Sequence, residues 1–320
     1  MYNDMSDVTS DVRRRASTDL TKPFLKWVGG KTQIIHDVTA RFPRTMHNYH
    51  EPFVGGGSVL LALLSSVRDG AIRLSGTIYA SDLNARLIGL YRHVQSQPEE
   101  LIARVQTLAD ALASCTGTVV HRDPATEDEA LSSPESYYYW VRTRFNGLSP
   151  EARESVDASA MLLFLNKTCF RGVYREGPRG FNVPYGHYKR PSILDAAHIR
   201  AVSALIREVV FTHRAFDESL AQVGADDFVY LDPPYAPQTE TSFVSYTSEG
   251  FSLLHHTRLF QRCAELSATG VRLLMSNADV ALVRNAFPSP AFATQRLSCR
   301  RSIHARQPNA RADEVLISNG

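Results

Sequence analysis

Residues 228–235 read Phe228-Val229-Tyr230-Leu231-Asp232-Pro233-Pro234-Tyr235, an apolar β-prone run that stops at a carboxylate, two prolines and a tyrosine. The run Asp227–Leu231 is predicted as a strand, with Asp232 at its carboxyl end. In an open α/β sheet, ligands bind outside the carboxyl ends of the strands. Two consecutive prolines fix φ and remove two N–H donors. The loop therefore presents a carboxylate and bare carbonyls without competing donors. Such an acceptor pair suits a group that donates two hydrogens, namely an exocyclic amino group. Tyr235 adds a flat face for stacking on a ring. A purely structural strand-to-loop turn explains four specified residues at a strand end less well.

Working outward, strand-length apolar runs recur, each beside a helical pattern. Tyr49–Phe53 precedes a glycine cluster and the apolar helix Ser58–Ser66, and Thr77–Ser81 ends at Asp82. Glu208–His213 and Gly270–Met275 follow, the latter preceded by an amphipathic helix over Leu253–Ala268. Alternating strand and helix predict a parallel, doubly wound α/β sheet. Phe292–Ser298 and Glu314–Ser318 flank a polar, Arg-rich segment and read as an antiparallel hairpin closing that sheet.

The turn Glu51-Pro52-Phe53-Val54-Gly55-Gly56-Gly57-Ser58 runs from strand into helix, where glycines let the backbone approach a ligand at free helix N–H groups. Asp82 ends the next strand, 25 residues after Gly57, where an acid commonly binds ribose hydroxyls. Together they point to a cofactor containing a nucleoside. The segment Lys26-Trp27-Val28-Gly29-Gly30-Lys31-Thr32 ends like a phosphate-binding loop, but Leu25 stands where the first glycine of that motif belongs. The phosphate-loop reading is rejected.

Residues from about His93 to Pro191 break the strand–helix rhythm and read as an inserted domain. Within it, Lys167, Arg171, Arg175, Arg179, Lys189 and Arg190 face only Glu176, interleaved with Phe170, Tyr174, Phe181, Tyr185 and Tyr188. That pattern suits phosphate contact plus base stacking, and equally a solvated structural loop.

The order of Lys-Trp-x-Gly-Gly-Lys, Glu-Pro-Phe-x-Gly-Gly-Gly, Asp82-x-Asn84 and Asp-Pro-Pro-Tyr resembles the Dam-type (alpha-group, D12 class) DNA adenine-N6 methyltransferases. Asn166–Gly172 and Gly180–Gly186 look like that family's recognition hairpin. Arg300-Arg301-Ser302-Ile303 and Glu314–Asn319 look like its closing segment. The resemblance implies a Rossmann-like, S-adenosylmethionine-dependent methyltransferase sheet with an inserted helical, β-hairpin-bearing DNA-recognition domain. It divides the chain into a tail at 1–21, a catalytic domain at 22–92 and 193–320, and a recognition domain at 93–192. S-Adenosyl-L-methionine would be held by Trp27, Lys31, Pro52, Phe53, Gly55, Gly57, Asp82, Phe216, Asp217 and Asp232. Asp232, Pro233, Pro234 and Tyr235 would act on the target base. Double-stranded DNA is the implied partner, met by Phe170, Arg171, Val173, Arg175, Pro184 and Lys189. By analogy Arg175 reads a guanine edge, Val173 wedges into the stack and Pro184 touches a base. GATC is the leading expectation for the site, with CATG its rival.

Composition bounds the rest. Hydrophobic residues at 43% and charged residues at 21% are ordinary globular values. A net charge of +2 excludes a wholesale basic coat, so a nucleic-acid site must be a local patch. Cys115, Cys169, Cys263 and Cys299 are scattered, which disfavours a disulfide scaffold or zinc module and fits a reducing intracellular setting. No apolar run approaches the ~20 residues that span a bilayer. No metal ligand set is expected, His255-His256 reading as structural, and a monomer suffices. The rivals are an amino-group methyltransferase acting on RNA or protein glutamine, and a DNA-binding module without catalysis.

Overall fold

The computed structural model describes residues 20–237, 250–300 and 311–319. The tail as far as residue 19, and Arg301–Ile303 of the closing segment, lie outside the described residues. Of the last two residues read above as tail, Leu20 packs on the core and the Thr21 N–H donates to Ser65 Oγ at 3.1 Å.

In chain order the elements are α1 (Ile35–Thr39), β1 (Thr45–Met46), β2 (Tyr49–Glu51), α2 (Ser58–Arg68), β3 (Arg73–Leu74), β4 (Ile78–Asp82) and α3 (Ala85–Ser96). Then come α4 (Pro98–Ser114), α5 (Glu127–Leu131), α6 (Pro134–Asn146), α7 (Val156–Thr168), β5 (Glu176–Gly177) and β6 (Gly180–Phe181). The chain ends with α8 (Ala196–Leu205), β7 (Val209–His213), α9 (Phe216–Leu220), β8 (Phe228–Leu231), α10 (Leu253–Ala268), β9 (Arg272–Ala278), α11 (Ala281–Ala286), β10 (Ala293–Arg300) and β11 (Arg311–Ser318).

Seven strands form one sheet in the order β10-β11-β9-β8-β2-β4-β7. The pairs β9–β8, β8–β2, β2–β4 and β4–β7 are parallel, while β11 runs antiparallel to both β9 and β10. Central β8 is buried at every position, as its uninterrupted Phe-Val-Tyr-Leu demands of a strand covered on both faces. Chain order reverses between β2 and β8, so the crevice beyond their carboxyl ends is the switch point where ligands bind in such sheets. Asp232 and Glu51 stand at that crevice.

The helices follow their sequence cues. Ser252 and His255 form a capping box that starts α10, and α10 buries His256, Leu259, Phe260, Cys263 and Leu266 on one stripe. One core cluster covers one side of the sheet and a second, containing Phe216, Leu259 and Phe287, covers the other.

The segment between α3 and α8 adds no strand to the main sheet; it contributes α4–α7 and the small β5–β6 ribbon. Its buried Tyr138, Phe145 and Leu162–Leu165 belong to the same apolar cluster as sheet residues Ile78 and Phe211. The expected boundary at 92/93 falls inside α3, and His93 there meets Ser159 of α7 at 2.8 Å. Composition marks where the strand rhythm stops, whereas a helix shared by both parts carries no such mark.

Candidate active site

A cavity of about 410 Å³ opens at the carboxyl ends of β2, β4 and β8. Trp27, Lys31, Pro52, Phe53, Gly55, Asp82, Phe216, Asp217 and Asp232 all line it, as do Pro233, Pro234 and Tyr235. Five segments far apart in sequence thus converge on one cavity. Gly57 is the exception. It caps α2 at φ 72°, and a Cβ there would lie 2.5 Å from the Tyr91 hydroxyl. Gly56 is likewise pressed against Trp27, where an added Cβ would lie 2.7 Å from the Trp27 Cβ. Gly57 therefore serves packing behind the cavity wall, while Gly55 and Gly56 of the same turn line the cavity itself.

Asp82 accepts the N–H groups of Gly55 at 3.0 Å and Asn84 at 2.9 Å. Burial raises its carboxyl above the usual range, and these N–H groups oppose the rise. Asp82 is thereby tied to the glycine turn. Phe53 and Phe216 stack at 5.7 Å and wall the same side, while the Asp217 carboxylate pairs with Arg258 at 2.6 Å.

Asp232 Oδ2 lies 2.8 Å from Lys31 Nζ, which also donates to the Gly29 carbonyl at 2.7 Å. The same ammonium sits 5.0 Å from the centroid of the Tyr235 ring. Tyr235 donates its hydroxyl to Glu314 of β11 at 2.7 Å, and the Ala236 N–H donates to Asn277 of β9 at 2.9 Å, so two strands on one side of β8 grip the loop. Burial pushes the Asp232 carboxyl up to about 6, Lys31 opposing and Glu314 adding to the shift. Glu51 is pushed up to about 8 by burial, against the hydrogen bond from the Tyr49 hydroxyl at 2.6 Å and with help from the Asp232 charge. Of the acids in the cavity, Asp232 and Glu51 are thus pushed to opposite sides of neutrality. Separate acid–base roles arise from such divided environments. Glu51 and Glu314 carried no assigned role in the sequence reading, because their importance lies in proximity across strands.

The expected DNA-contacting residues form a different group, and none of Phe170, Arg171, Val173, Arg175, Pro184 and Lys189 lines the cavity. Phe170 is 48% exposed, with the Arg171 guanidinium 5.2 Å from its ring centroid. Arg175, Pro184 and Lys189 are exposed, and Val173 is half-buried. Arg175 donates to Asn182 Oδ1 at 2.7 Å, which aims it across the hairpin. Tyr174, Phe181 and Tyr185 are buried, which decides against base stacking and for the structural alternative; they pack against Trp27, Phe145 and Tyr138 outside the hairpin. Lys167 is half-buried, and burial and Lys26 lower its ammonium. Two buried or half-buried amides hold the hairpin down. Asn146 bonds both the N–H and C=O of Phe181, and Asn166 bonds the N–H and C=O of Lys26.

Among the described residues, no group of three or more His, Cys, Asp or Glu is placed to hold a metal ion. Nor, among them, is any helix long and apolar enough to cross a membrane. Cys115, Cys169 and Cys263 are free and buried, and His255 caps α10 while its neighbour packs into the core.

A mostly parallel sheet of this order, carrying an acidic Pro-Pro-Tyr loop opposite a glycine turn and a strand-end aspartate, defines an α/β enzyme of the methyltransferase kind. A family model for D12 class N6 adenine-specific DNA methyltransferases matches residues 27–303. The chain belongs to that family and is a DNA adenine-N6 methyltransferase. It is 37% identical over 264 residues to the type II methyltransferase M.MjaIII of Methanocaldococcus jannaschii, covering 80% of this chain and 84% of that protein. It is 28% identical over 303 residues to the type II methyltransferase M1.LlaDCHI of Lactococcus lactis, covering 93% and 95% respectively. The DNA adenine methylase of Escherichia coli is 28% identical over 298 residues, covering 92% of this chain and 94% of that protein.

Proposed function

We propose that this enzyme transfers a methyl group from S-adenosylmethionine to N6 of an adenine swung out of a short duplex site, GATC before CATG. The observation that carries the reading is the convergence of Asp232, Lys31, Asp82 and the Gly55 turn on one cavity at the switch point. The residues suit the cofactor chemically. Asp82 offers carboxylate oxygens to ribose hydroxyls, Phe53 and Phe216 offer flat apolar faces to a purine, and Trp27 and Lys31 line the other wall. When bound, S-adenosylmethionine supplies a methyl group already activated by its positive sulfur.

The chain's own residues then have one principal task. Adenine N6 is a poor nucleophile because its lone pair is delocalised into the ring. Asp232 and the Pro233 carbonyl accept the two N6 hydrogens, which localises that lone pair and aims it. Lys31 already shows that Asp232 binds an N–H donor here, at 2.8 Å. A carboxyl near pH 6 is also a suitable acceptor for the proton that N6 must shed. Tyr235, fixed by Glu314, presents its ring to the extruded base. Extrusion costs a few kcal/mol of unstacking, which contacts by the hairpin arginines offset.

Methylation mapping of plasmid DNA treated with protein and S-adenosylmethionine tests the reading. N6-methyladenine confined to one short motif is expected, and Asp232→Ala is expected to abolish it. The single-turnover rate should fall as pH drops through about 6, because protonated Asp232 loses an acceptor. Unmodified DNA alongside methylated RNA or protein would overturn the reading.

A further inference from the structure

Trp27 and Tyr174 meet ring to ring, with centroids 5.2 Å apart and planes inclined by 22°. Both line the cofactor cavity. Yet Tyr174 sits between Val173 and Arg175, two residues assigned to DNA. Val173 is extended at φ −75° and ψ 135°, and successive side chains of an extended chain point to opposite faces. Tyr174 accordingly turns inward while Arg175 stays exposed.

A second contact ties the same segments. Asn166 is 2% exposed; its Oδ1 accepts the Lys26 N–H at 3.0 Å, and its Nδ2 donates to the carbonyls of Lys26 at 2.7 Å and Gly172 at 3.2 Å. Gly172 adds a third. At φ 66° it presses on Lys26, leaving only 2.5 Å between an added Cβ and the Lys26 Cβ. On its far side, Tyr174 donates its hydroxyl to Glu176, whose carboxylate lies 3.9 Å from Arg86 Nε. The segment at 26–27, which carries Trp27 into the cavity wall, is thus joined to the segment at 172–175 by three separate contacts.

We propose that Tyr174 is a positioning residue through which cofactor occupancy and site recognition by the hairpin depend on each other. A filled cavity holds Trp27, Trp27 holds Tyr174, and Tyr174 holds the extended segment that carries Val173 and Arg175. The proposal rests on the reading of that segment as the DNA-contacting element. Linkage makes the effect reciprocal: whatever factor the cofactor adds to duplex affinity, the duplex adds to cofactor affinity.

The test uses the full-length protein and a fluorescent duplex carrying the motif found by methylation mapping. Duplex affinity is measured with and without saturating S-adenosylhomocysteine, for the native protein, Tyr174→Phe and Tyr174→Leu. The native ratio is expected to be about fivefold or more, at the lower end of ordinary coupling between sites. Tyr174→Phe keeps the ring stack and should keep the ratio, whereas Tyr174→Leu should bring it close to one. Should the leucine variant not fold, Tyr174→Met, which fills the space flexibly, gives the same reading. A native ratio of one, or a leucine variant that retains the native ratio, overturns the proposal. So does a variant in which both affinities weaken while the ratio stands, because that is packing alone. Arg175→Ala separates the two levels. If it leaves discrimination against single-base-substituted duplexes intact, the hairpin reading itself fails. An unchanged ratio in Tyr174→Leu beside a discriminating Arg175 removes only the role of Tyr174.

Discussion

Glu51 ends β2 at 2% exposure, accepts the Tyr49 hydroxyl at 2.6 Å and carries a carboxyl pushed up to about 8. The direction of that shift fixes how stability responds to pH. A carboxyl whose folded pKa exceeds its unfolded value binds more proton in the folded state, so it stabilises at low pH and the contribution is lost as pH rises through about 8. Asp82 and Asp232 are raised too and add to the same trend at lower pH. Glu51→Gln keeps the shape and removes the titration. In urea unfolding between pH 5 and 9, the native protein should lose stability at up to about 1.4 kcal/mol per pH unit for this one proton. Glu51→Gln should show a visibly flatter profile and gain on the native protein above pH 7. Parallel profiles would mean that Glu51 is not protonated in the folded state. None of this was legible in the sequence. Glu51 reads there as the first letter of a glycine-turn motif, whereas its chemistry comes from burial in the folded protein, with the charge of Asp232 beyond neighbouring β8 adding to it.

Gly57 shows what an element requires of one position. Its φ of 72° caps α2, and the space a Cβ would take is filled by Tyr91, whose hydroxyl donates to the Gly55 carbonyl at 2.9 Å. Gly57→Ala combines backbone strain of roughly 1–3 kcal/mol with displacement of Tyr91. It should lower stability by at least that amount and weaken S-adenosylhomocysteine binding through the shifted Gly55. Gly29→Ala is the comparison, since Gly29 has φ 82° but nothing within 4 Å of an added Cβ. It should lose only the strain, and equal losses at both positions in urea unfolding would refute the packing argument. At this scale the sequence was highly informative. The helix over Leu253–Ala268 matches α10 to the residue, and the run Asp227–Leu231 matches β8 within one. Periodicity and caps are local properties, so local reading recovers them. The hairpin aromatics misled because alternation of aromatic and basic residues describes equally a stacking surface and a ribbon with one buried face. Burial of Tyr174, Phe181 and Tyr185 depends on Trp27, Phe145 and Tyr138, which lie far away in sequence.

Over the whole molecule, 35 basic residues nearly balance 33 acidic ones, so DNA cannot be held by overall charge. On the proposed reading, binding draws on the local surplus around the hairpin, where Arg171, Arg175, Arg179, Lys189 and Arg190 are all exposed. The one acid among them, Glu176, is occupied by the Tyr174 hydroxyl and faces Arg86, which leaves the arginines unneutralised. Two kinds of contact follow, and they separate by their response to salt. A lysine on phosphate contributes to every duplex alike and steepens the salt dependence by about 0.9 in log–log slope. An arginine on a guanine edge contributes about 1–3 kcal/mol at one base position. Lys189→Ala should therefore weaken all duplexes equally and flatten the slope by about one. Arg175, aimed by Asn182 at 2.7 Å, should behave oppositely. Arg175→Ala should penalise the mapped motif while sparing unrelated duplexes, and the preference should relax at a single position. Fluorescence anisotropy at several potassium chloride concentrations distinguishes them. If Arg175→Ala weakens every duplex alike, the arginine is a phosphate contact, and the reading of the base must lie elsewhere on the hairpin.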